Sequence, residues 1–306
     1  MATAAVARIP LVAVDDPARA SASAPQAAPG VGAPTLYPGY VLVWAEEFDR
    51  DGAPDPANWS NEAGFVRNQE LQWYQPDNAV VTNGTLVITA RRERTPNANF
   101  EPGSGDWRRN RQFAEYTSSS LTTRRLHAWQ YGRIEMRARI DTRLGLWPAF
   151  WTLGVNGQWP RNGEIDVMEF YRGTLLANAA WGAAEPFRAV WNDSRKPVTS
   201  FGDSDWSRTF HLWRMDWDEH VIRILVDGQL LNEIDLSHTV NQDGTGINPF
   251  RQPHYLVVNL AIGGQGGDPT ETTFPAIFEI DYIRVYQRRE SHLGKTVGPG
   301  AETTHK

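Results

Sequence analysis

The sequence predicts an all-β fold, an antiparallel β-sandwich, and three observations support this prediction. The 306-residue chain contains many short runs that are rich in β-branched and aromatic residues. Turn signals such as Asn83-Gly84 and Asp227-Gly228 separate these runs, and both pairs are typical of hairpins. No long helical period competes with the strand pattern. The pattern therefore favours two packed sheets over a fold in which strands alternate with helices.

The clearest predicted strand covers residues 131–140, where apolar and charged side chains alternate strictly. This alternation predicts that one face of the strand packs inward while the other contacts water. The further runs predicted as strands are residues 86–90, 210–217, 221–226, 255–262 and 280–286.

Composition predicts one folded domain between two loose ends. Residues 1–36 are rich in Ala, Ser, Pro and Gly, which indicates a flexible leader with a role in targeting. We expect one β domain over residues 37–289 and a disordered tail over residues 290–306. The apolar stretch from Ile9 to Val14 is interrupted by Pro10 and stopped by Asp15 and Asp16, so it is not a good signal peptide.

Charge and cysteine content exclude several classes of function. The formal net charge of −6 and the pI near 5.7 give no basic surface for nucleic acid or an anionic membrane. Cysteine is absent, which excludes disulfides, thiolate metal sites and a cysteine nucleophile. No apolar run approaches the roughly 20 residues that span a bilayer. We therefore expect a soluble protein, acting as a monomer, that binds neither nucleic acid nor membranes.

Residues 163–170 place three carboxylates, Glu164, Asp166 and Glu169, among large apolar side chains. On a regular strand Glu164 and Asp166 share a face, whereas Glu169 points to the opposite side of the sheet. A β-bulge near Val167 and Met168 would return Glu169 to the face of the other two acids. Bulges of this kind often re-aim side chains beside active sites.

Three acids on one face repel one another, so one should keep its proton at neutral pH while another stays charged. Glycoside hydrolysis needs this division, and a retaining mechanism uses two carboxyl groups about 5–5.5 Å apart. Trp147, Trp151 and Trp159 lie just upstream and could form a sugar platform, since carbohydrate clefts combine aromatic faces with polar edges. The alternative is that the acids are ordinary residues on the wet face of a strand.

Several ordered motifs in the chain resemble family sixteen of the glycoside hydrolases, with a match over about residues 38–288. The central ones are the runs at residues 129–138, 145–151 and 163–169. The outer ones are residues 44–48, 68–74, 210–213, 259–264 and 280–286.

The resemblance implies a β-jelly roll with a long concave cleft and retaining, internal cleavage of β-glucans or β-galactans. By it Glu164 matches the nucleophile, Asp166 an assisting acid and Glu169 the general acid/base. The expected substrate contacts are Trp147, Trp151, His211, Trp159, Trp181 and Asn78. For His211, a structural, hydrogen-bonded role is the alternative.

The resemblance also implies a structural calcium held by Asp281 with Glu47 and Gly84, because carboxylate and carbonyl oxygens suit that ion. In the alternative, Asp281 simply faces water. We expect no cofactor for catalysis.

The leading functional prediction is an endo-acting hydrolase of β-1,3-glucan or mixed β-1,3/1,4-glucan, with the polysaccharide as its partner. Laminarinases commonly carry a histidine on the strand after the acids, and residues 175–181 contain none, which leaves the sugar open. A β-galactan hydrolase, a transglycosylase and a catalytically silent, lectin-like module are the alternatives. The substrate class implies an extracellular or periplasmic location.

Overall fold

Strands make up almost all of the regular structure in the computed structural model, which describes residues 34–289. Residues 1–33 and 290–306, and with them most of the predicted leader and the tail, lie outside the described residues. The strands are β1 Tyr40–Glu46, β2 Ser60–Asn61, β3 Gln72–Tyr74, β4 Ala79–Thr82, β5 Thr85–Ala90, β6 Thr95–Pro96, β7 Phe113–Ala114, β8 Tyr116–Ser118, β9 Ser120–Thr122, β10 Gly132–Arg139, β11 Leu146–Gly154, β12 Glu164–Tyr171, β13 Thr174–Gly182, β14 Ala189–Pro197, β15 His211–Trp217, β16 Val221–Val226, β17 Gln229–Asp235, β18 His254–Ile262 and β19 Ala276–Arg288. Short 3-10 turns occur at Pro76–Asn78, Val198–Phe201, Trp206–Arg208, Leu236–His238, Pro249–Arg251 and Gly264–Gly266.

Two antiparallel sheets form the sandwich. The larger sheet has the order β17-β16-β15-β10-β19-β5-β4, and β1 also pairs with β19. The smaller sheet has the order β14-β13-β12-β11-β18-β9-β2. At 13 residues, β19 is long enough for β5 to pair with its first half and β1 with its second, where Tyr40 lies opposite Arg288. This architecture confirms the predicted antiparallel sandwich.

The predicted strands and hairpins are confirmed at nearly the expected bounds. The Asn83-Gly84 turn joins β4 to β5, and the Asp227-Gly228 turn joins β16 to β17. All four turn residues have positive φ, from 48° at Asp227 to 79° at Gly228. A two-residue hairpin of this type requires such angles, which Asn, Asp and Gly accept most readily.

The hydrophobic core lies between the two sheets and is closed by side chains from β12. Ile165, Val167, Met168 and Phe170 are fully buried in the main apolar cluster. Trp213 on β15 is among the largest side chains that the larger sheet contributes to this cluster. Because these rings and branched chains fill the interior, β12 is held firmly along its inner face.

The outer face of the larger sheet carries ion pairs between neighbouring strands, and we call it the charged face. Arg133 on β10 binds Asp216 on β15, with 2.6 Å between Nε and Oδ1. Arg223 on β16 binds Glu233 on β17 across a similar distance of 2.6 Å. The inward face predicted for residues 131–140 is confirmed, because Ile134 is buried in the core. The outer face does not contact water throughout, since Glu135 is only 1% exposed.

None of the helical segments within residues 34–289 is both long and apolar enough to cross a membrane.

Replacement of Met168 by alanine tests the inward orientation of the residue before Glu169. We expect Met168→Ala to lower the free energy of unfolding by about 2–5 kcal/mol, because it leaves a cavity in the core. Chemical denaturation measures this change. Leu230→Ala is the control, since Leu230 is 49% exposed and its loss should cost less than about 0.5 kcal/mol. Equal stability of the two variants would contradict the core position of Met168.

Candidate active site

A β-bulge in β12 brings the three acids to one face of the smaller sheet. Met168 and Asp166 pair with two adjacent residues of β11. Val167, which lies between them in the sequence, therefore has no partner on β11. The register with β13 also shifts between Asp166 and Glu169. Val167 and Met168 both point into the core, and Glu169 returns to the face of Glu164 and Asp166. The bulge predicted from the sequence is confirmed.

Glu164, at the start of β12, is half-buried beside an indole. Trp159 Nε1 donates a hydrogen bond of 2.7 Å to Glu164 Oε2. Burial raises the pKa of Glu164 to about 7, although the hydrogen bonds from Trp159 and Asp166 act in the opposite direction. Near neutral pH this carboxyl group therefore changes its charge readily.

Glu169, at the other end of the acid cluster, has a matching environment. Trp147 Nε1 donates a hydrogen bond of 2.7 Å to Oε1, and Asn178 Nδ2 donates one of 3.2 Å to Oε2. Burial and the charge of Glu164 raise the pKa of Glu169 to about 7, against the two hydrogen bonds, which lower it. Glu169 can thus hold a proton near neutral pH and release it again.

Asp166 lies between the two glutamates and is only 2% exposed. Burial raises the pKa of Asp166 well above its usual range, and the charges of Glu164 and Glu169 raise it further. Burial and these two charges therefore favour the protonated form of Asp166. The protonated carboxyl group hydrogen-bonds Glu164, which favours the charged form of Glu164.

Asn178 on β13 is a member of the site that the sequence reasoning missed. It lies directly opposite Asp166, and its amide group donates to both Asp166 and Glu169, each at 3.2 Å. Asn178 is the one strongly polar side chain in residues 175–181, a segment noted above only for its missing histidine. That lone polar position within an apolar strand was the available signal.

The tryptophans just upstream of the acids line the same face. β11 pairs with β12, so Trp151 lies opposite Asp166, and Trp147 reaches Glu169 as described above. Trp151 packs with Ala149, Tyr255 and Val257 in a small apolar cluster on the outer side of the smaller sheet. Trp159 is the most exposed of the three indoles, at 41%. All three indoles therefore lie beside the acids, and their contact with a sugar stays a prediction.

A directed chain of hydrogen bonds holds Trp151 in place. Trp151 Nε1 donates to Asn259 Oδ1 at 2.7 Å, and Asn259 Nδ2 donates to the Tyr74 hydroxyl at 3.1 Å. The Tyr74 hydroxyl in turn donates to Glu70 Oε2 at 3.3 Å. The indole of Trp151 can only donate and Glu70 accepts at the other end, so the orientation of the Asn259 amide between them is fixed.

Glu70 ends this chain as a buried acceptor. Gln72 Nε2 also donates to Glu70 Oε2, at 2.6 Å, and Asn68 Nδ2 donates to Oε1 at 3.2 Å. Burial raises the pKa of Glu70 despite these donors, and the charge of Glu70 raises the pKa of Glu169. The sequence of residues 68–74 does not reveal this role, because the contacts that create it are long-range.

Comparison with known proteins agrees with this geometry. Residues 67–284 match the sequence profile described as Glycosyl hydrolases family 16. The chain belongs to this family. A β-glucanase from Rhodothermus marinus is 35% identical over 274 residues, which cover 82% of this chain and 86% of the relative. The chain is therefore a glycoside hydrolase.

Two solved structures extend the comparison to the fold. The catalytic domain of an endo-1,3-β-glucanase (laminarinase) from Thermotoga petrophila has a TM-score of 0.68 and 34% identity, covering 82% of this chain and 98% of that domain. A structure from work on endo-acting O-glycanases of human gut microbiota that initiate mucin breakdown has a TM-score of 0.77 and 35% identity. It covers 87% of this chain and 97% of that chain. The sandwich is thus the jelly roll of the family.

The assignment of His211 to substrate binding is wrong for this chain. His211 lies on β15 in the larger sheet, opposite the sheet that carries the acids. Its ring stacks on Trp206 at 4.0 Å, and Nδ1 contacts Asp227 Oδ2 at 2.6 Å. Burial acts to lower the pKa of His211, but the hydrogen bonds to Asp227 and the Trp206 carbonyl raise it overall. His211 therefore has the structural, hydrogen-bonded role that was the alternative prediction.

Trp181 and Asn78 are also structural rather than part of the cleft. Trp181 is 7% exposed and lies in the core between the sheets, edge-on to Phe250 at 6.3 Å. Asn78 is 1% exposed, and its amide donates to the Thr89 carbonyl at 2.6 Å and to Thr117 Oγ1 at 3.0 Å. Within the described residues Asn78 Oδ1 has no hydrogen-bond partner, but it is fully buried, so a sugar cannot reach it.

The side chains expected to hold calcium are engaged elsewhere. Asp281 is ion-paired with Arg137, and Glu47 forms a two-pronged ion pair with Arg284 at 2.7 and 2.8 Å. Gly84 lies in the β4–β5 turn. Guanidinium groups already neutralise both carboxylates, so these side chains do not fit a shared calcium site. Among residues 34–289, no group of three or more His, Cys, Asp or Glu side chains is placed to hold a metal. The calcium stays a prediction that these contacts do not support.

Removal of the Tyr74 hydroxyl tests the chain that holds Trp151. We expect Tyr74→Phe to raise KM more than it lowers kcat, because Asn259 and hence Trp151 lose their fixed orientation. The free energy of unfolding should also fall by about 1–3 kcal/mol, since two buried groups lose a partner. Steady-state kinetics and chemical denaturation measure both effects.

Tyr286→Phe is the matched control for this experiment. The Tyr286 hydroxyl is buried and has no hydrogen-bond partner within the part of the chain that the structure describes. Its removal should leave KM and stability unchanged or slightly improved. If the two variants behave alike, the chain from Glu70 to Trp151 has no functional role.

Proposed function

We propose that this chain is a retaining, endo-acting β-glucanase that cleaves β-1,3-glucan or mixed β-1,3/1,4-glucan. The observation that carries the proposal is the single face shared by Glu164, Asp166 and Glu169. Burial raises the pKa of both glutamates to about 7 and favours the protonated form of the aspartate between them. Two carboxyl groups that can exchange the roles of base and acid are what a retaining hydrolase requires.

In the first step, the charged carboxylate of Glu164 attacks the anomeric carbon of a main-chain sugar and forms a glycosyl ester. The bond from that carbon to the glycosidic oxygen breaks, and Glu169 transfers its proton to the departing oxygen. Trp147 and Asn178 already donate hydrogen bonds to Glu169. These donors stabilise the carboxylate that remains after the proton has left.

In the second step, a water molecule attacks the same anomeric carbon and Glu169 takes up the proton of that water. The ester bond to Glu164 breaks, and both glutamates return to their starting states. Asp166 keeps its proton throughout and hydrogen-bonds Glu164. It thereby stabilises Glu164 as a leaving carboxylate without placing a third negative charge in the cleft.

The names of the relatives support β-glucan as the substrate class, because the Rhodothermus marinus protein is a β-glucanase and the Thermotoga petrophila domain is a laminarinase. The similarity to the structure from the O-glycanase work keeps a β-galactan or host-glycan substrate as the second candidate. Hydrolysis of laminarin and lichenan, but not of agarose or mucin O-glycans, would support β-glucan as the substrate class. Product sizing shows whether internal bonds are cut.

A catalytically silent, lectin-like module is the least supported alternative. Three buried, repelling carboxyl groups cost free energy, and a protein that only binds sugar has little use for them. Transglycosylation, a monomeric state and an extracellular or periplasmic location stay predictions.

Replacement of either glutamate by glutamine tests the assigned roles. We expect Glu164→Gln and Glu169→Gln each to lower kcat by about 10³-fold or more, because an amide neither attacks nor transfers a proton. Hydrolysis of laminarin measures the loss, and binding of laminarin should persist. Glu233→Gln, on the charged face, is the control and should be fully active. A variant of Glu164 or Glu169 with normal turnover would refute the mechanism.

The pH profile separates the two roles. Activity needs Glu164 charged and Glu169 protonated. The fall in activity at acidic pH therefore reports the protonation of Glu164, and the fall at alkaline pH reports the deprotonation of Glu169. Both limbs of the pH profile should lie near neutral pH. Each glutamate loses a donor that lowers its pKa when its indole is replaced. We therefore expect Trp159→Phe to move the acidic limb to higher pH and Trp147→Phe to move the alkaline limb to higher pH. The reverse pattern would exchange the two roles.

A further inference from the structure

A cavity of about 570 Å³ lies beside the acid cluster, and the mechanism above does not use it. Its volume falls within the range of about 300–1,000 Å³ that is typical of ligand pockets. Three loops form it, at residues 155–163, 183–188 and 236–253. Its lining includes Trp159, Arg161, Phe187, Asn241, Ile247 and Gln252.

Trp159 is shared between the cavity and the acid cluster. Its ring lines the cavity, while its Nε1 donates to Glu164. The loops of the cavity adjoin the end of β11, the start of β12 and the end of β13, which is the end of the smaller sheet that carries Glu164. Glu169 lies further along β12, so the cavity is beyond Glu164 on the side away from Glu169. The bond that breaks lies between the two glutamates, and the cavity therefore flanks the main chain of the substrate.

The walls of the cavity are held together before any ligand binds. Asn241 joins all three sides, because its Oδ1 accepts from the Gly182 backbone N–H at 2.7 Å and its Nδ2 donates to the Arg161 carbonyl at 2.9 Å. Arg161 also forms an ion pair with Asp243 at 3.0 Å. Gln252 binds the backbone of Asn156 in both directions, at 2.8 and 3.2 Å. A ligand thus meets a preformed site.

Phe187 supplies an exposed aromatic face to this site. The side chain is 73% exposed, and its backbone has a φ of 60°, a left-handed conformation that a bulky residue rarely adopts. Such backbone strain clusters at ligand sites, where the bound state compensates for it. Trp159 adds a second aromatic surface, at 41% exposure, within the same lining.

The polar groups of the lining suit a neutral sugar. Asn156 and Gln158 present exposed amide side chains, which can bind hydroxyl groups at the edge of a sugar ring. The charge of Arg161 is compensated by Asp243, and Arg251 is exposed. Flat apolar faces combined with amide groups match the apolar face and hydroxyl edge of a pyranose.

We propose that this cavity binds a single neutral sugar that is attached as a branch to the main chain of the polysaccharide, next to the bond that is cleaved. A main-chain sugar must pass between Glu164 and Glu169, so only a substituent that projects sideways can enter the cavity. This inference rests on the proposed function and adds a preference for branched β-glucan to it.

Two synthetic substrates test the proposal: a linear β-1,3-gluco-oligosaccharide and the same main chain with a single β-1,6-linked glucosyl branch. We expect the wild-type protein to cleave the branched substrate with a kcat/KM about tenfold higher. Phe187→Gly removes the aromatic ring. Because glycine readily adopts the left-handed backbone conformation at this position, the fold should be retained. This variant should cleave both substrates with the kcat/KM that the wild-type protein has for the linear one.

Ile247→Trp is a second variant, which fills the cavity from a side chain that is 55% exposed, and it should have the same effect. Phe100→Ala is the control, because Phe100 is exposed and does not line the cavity. Equal kcat/KM of the wild-type protein for both substrates would overturn the branch site and leave the proposed function intact. An equal fall for both substrates in Phe187→Gly would also overturn it. Failure of the wild-type protein to cleave either substrate would instead refute the β-glucanase function.

Discussion

The chemistry of the cleft depends on one unpaired residue in β12. Val167 has no partner on β11, and this extra residue lets Val167 and Met168 fill the core while Glu169 joins the face of the other acids. The apolar side chains on the inner face fix the strand, so the three carboxyl groups cannot move apart to relieve their repulsion. Packing free energy from the core thus maintains a charge arrangement that would be unfavourable on a flexible loop.

The two glutamates have closely similar surroundings. Burial raises the pKa of each glutamate to about 7, and each accepts one short hydrogen bond from an indole. What distinguishes them is their second neighbour: the protonated Asp166 favours the charged form of Glu164, whereas the charge of Glu164 favours the protonated form of Glu169. In the proposed mechanism, the hydrogen bond from Asp166 therefore separates the roles of the two glutamates, because it favours the charged form of Glu164 alone.

Local patterns made the fold and the acids predictable, while long-range contacts decided the rest. The two-residue period of a strand is sufficient to locate β10 and to detect the extra residue between Asp166 and Glu169. The role of Asn178 depends on the register between β12 and β13, which no local pattern specifies. His211 was misplaced for a related reason, since its motif does not tell which of the two sheets will hold β15.

The pairing of β1 with β19 has a consequence for the engineering of this fold. Tyr40 and Arg288 lie opposite each other, so the polypeptide enters and leaves the sandwich at one place in the larger sheet. A short linker could join these two positions, and new chain termini could then be introduced in a turn such as Asn83-Gly84. Circular permutation of this kind preserves the sheet order. Both the linker and a fusion partner at this place would lie on the larger sheet, and the three acids lie on the smaller one.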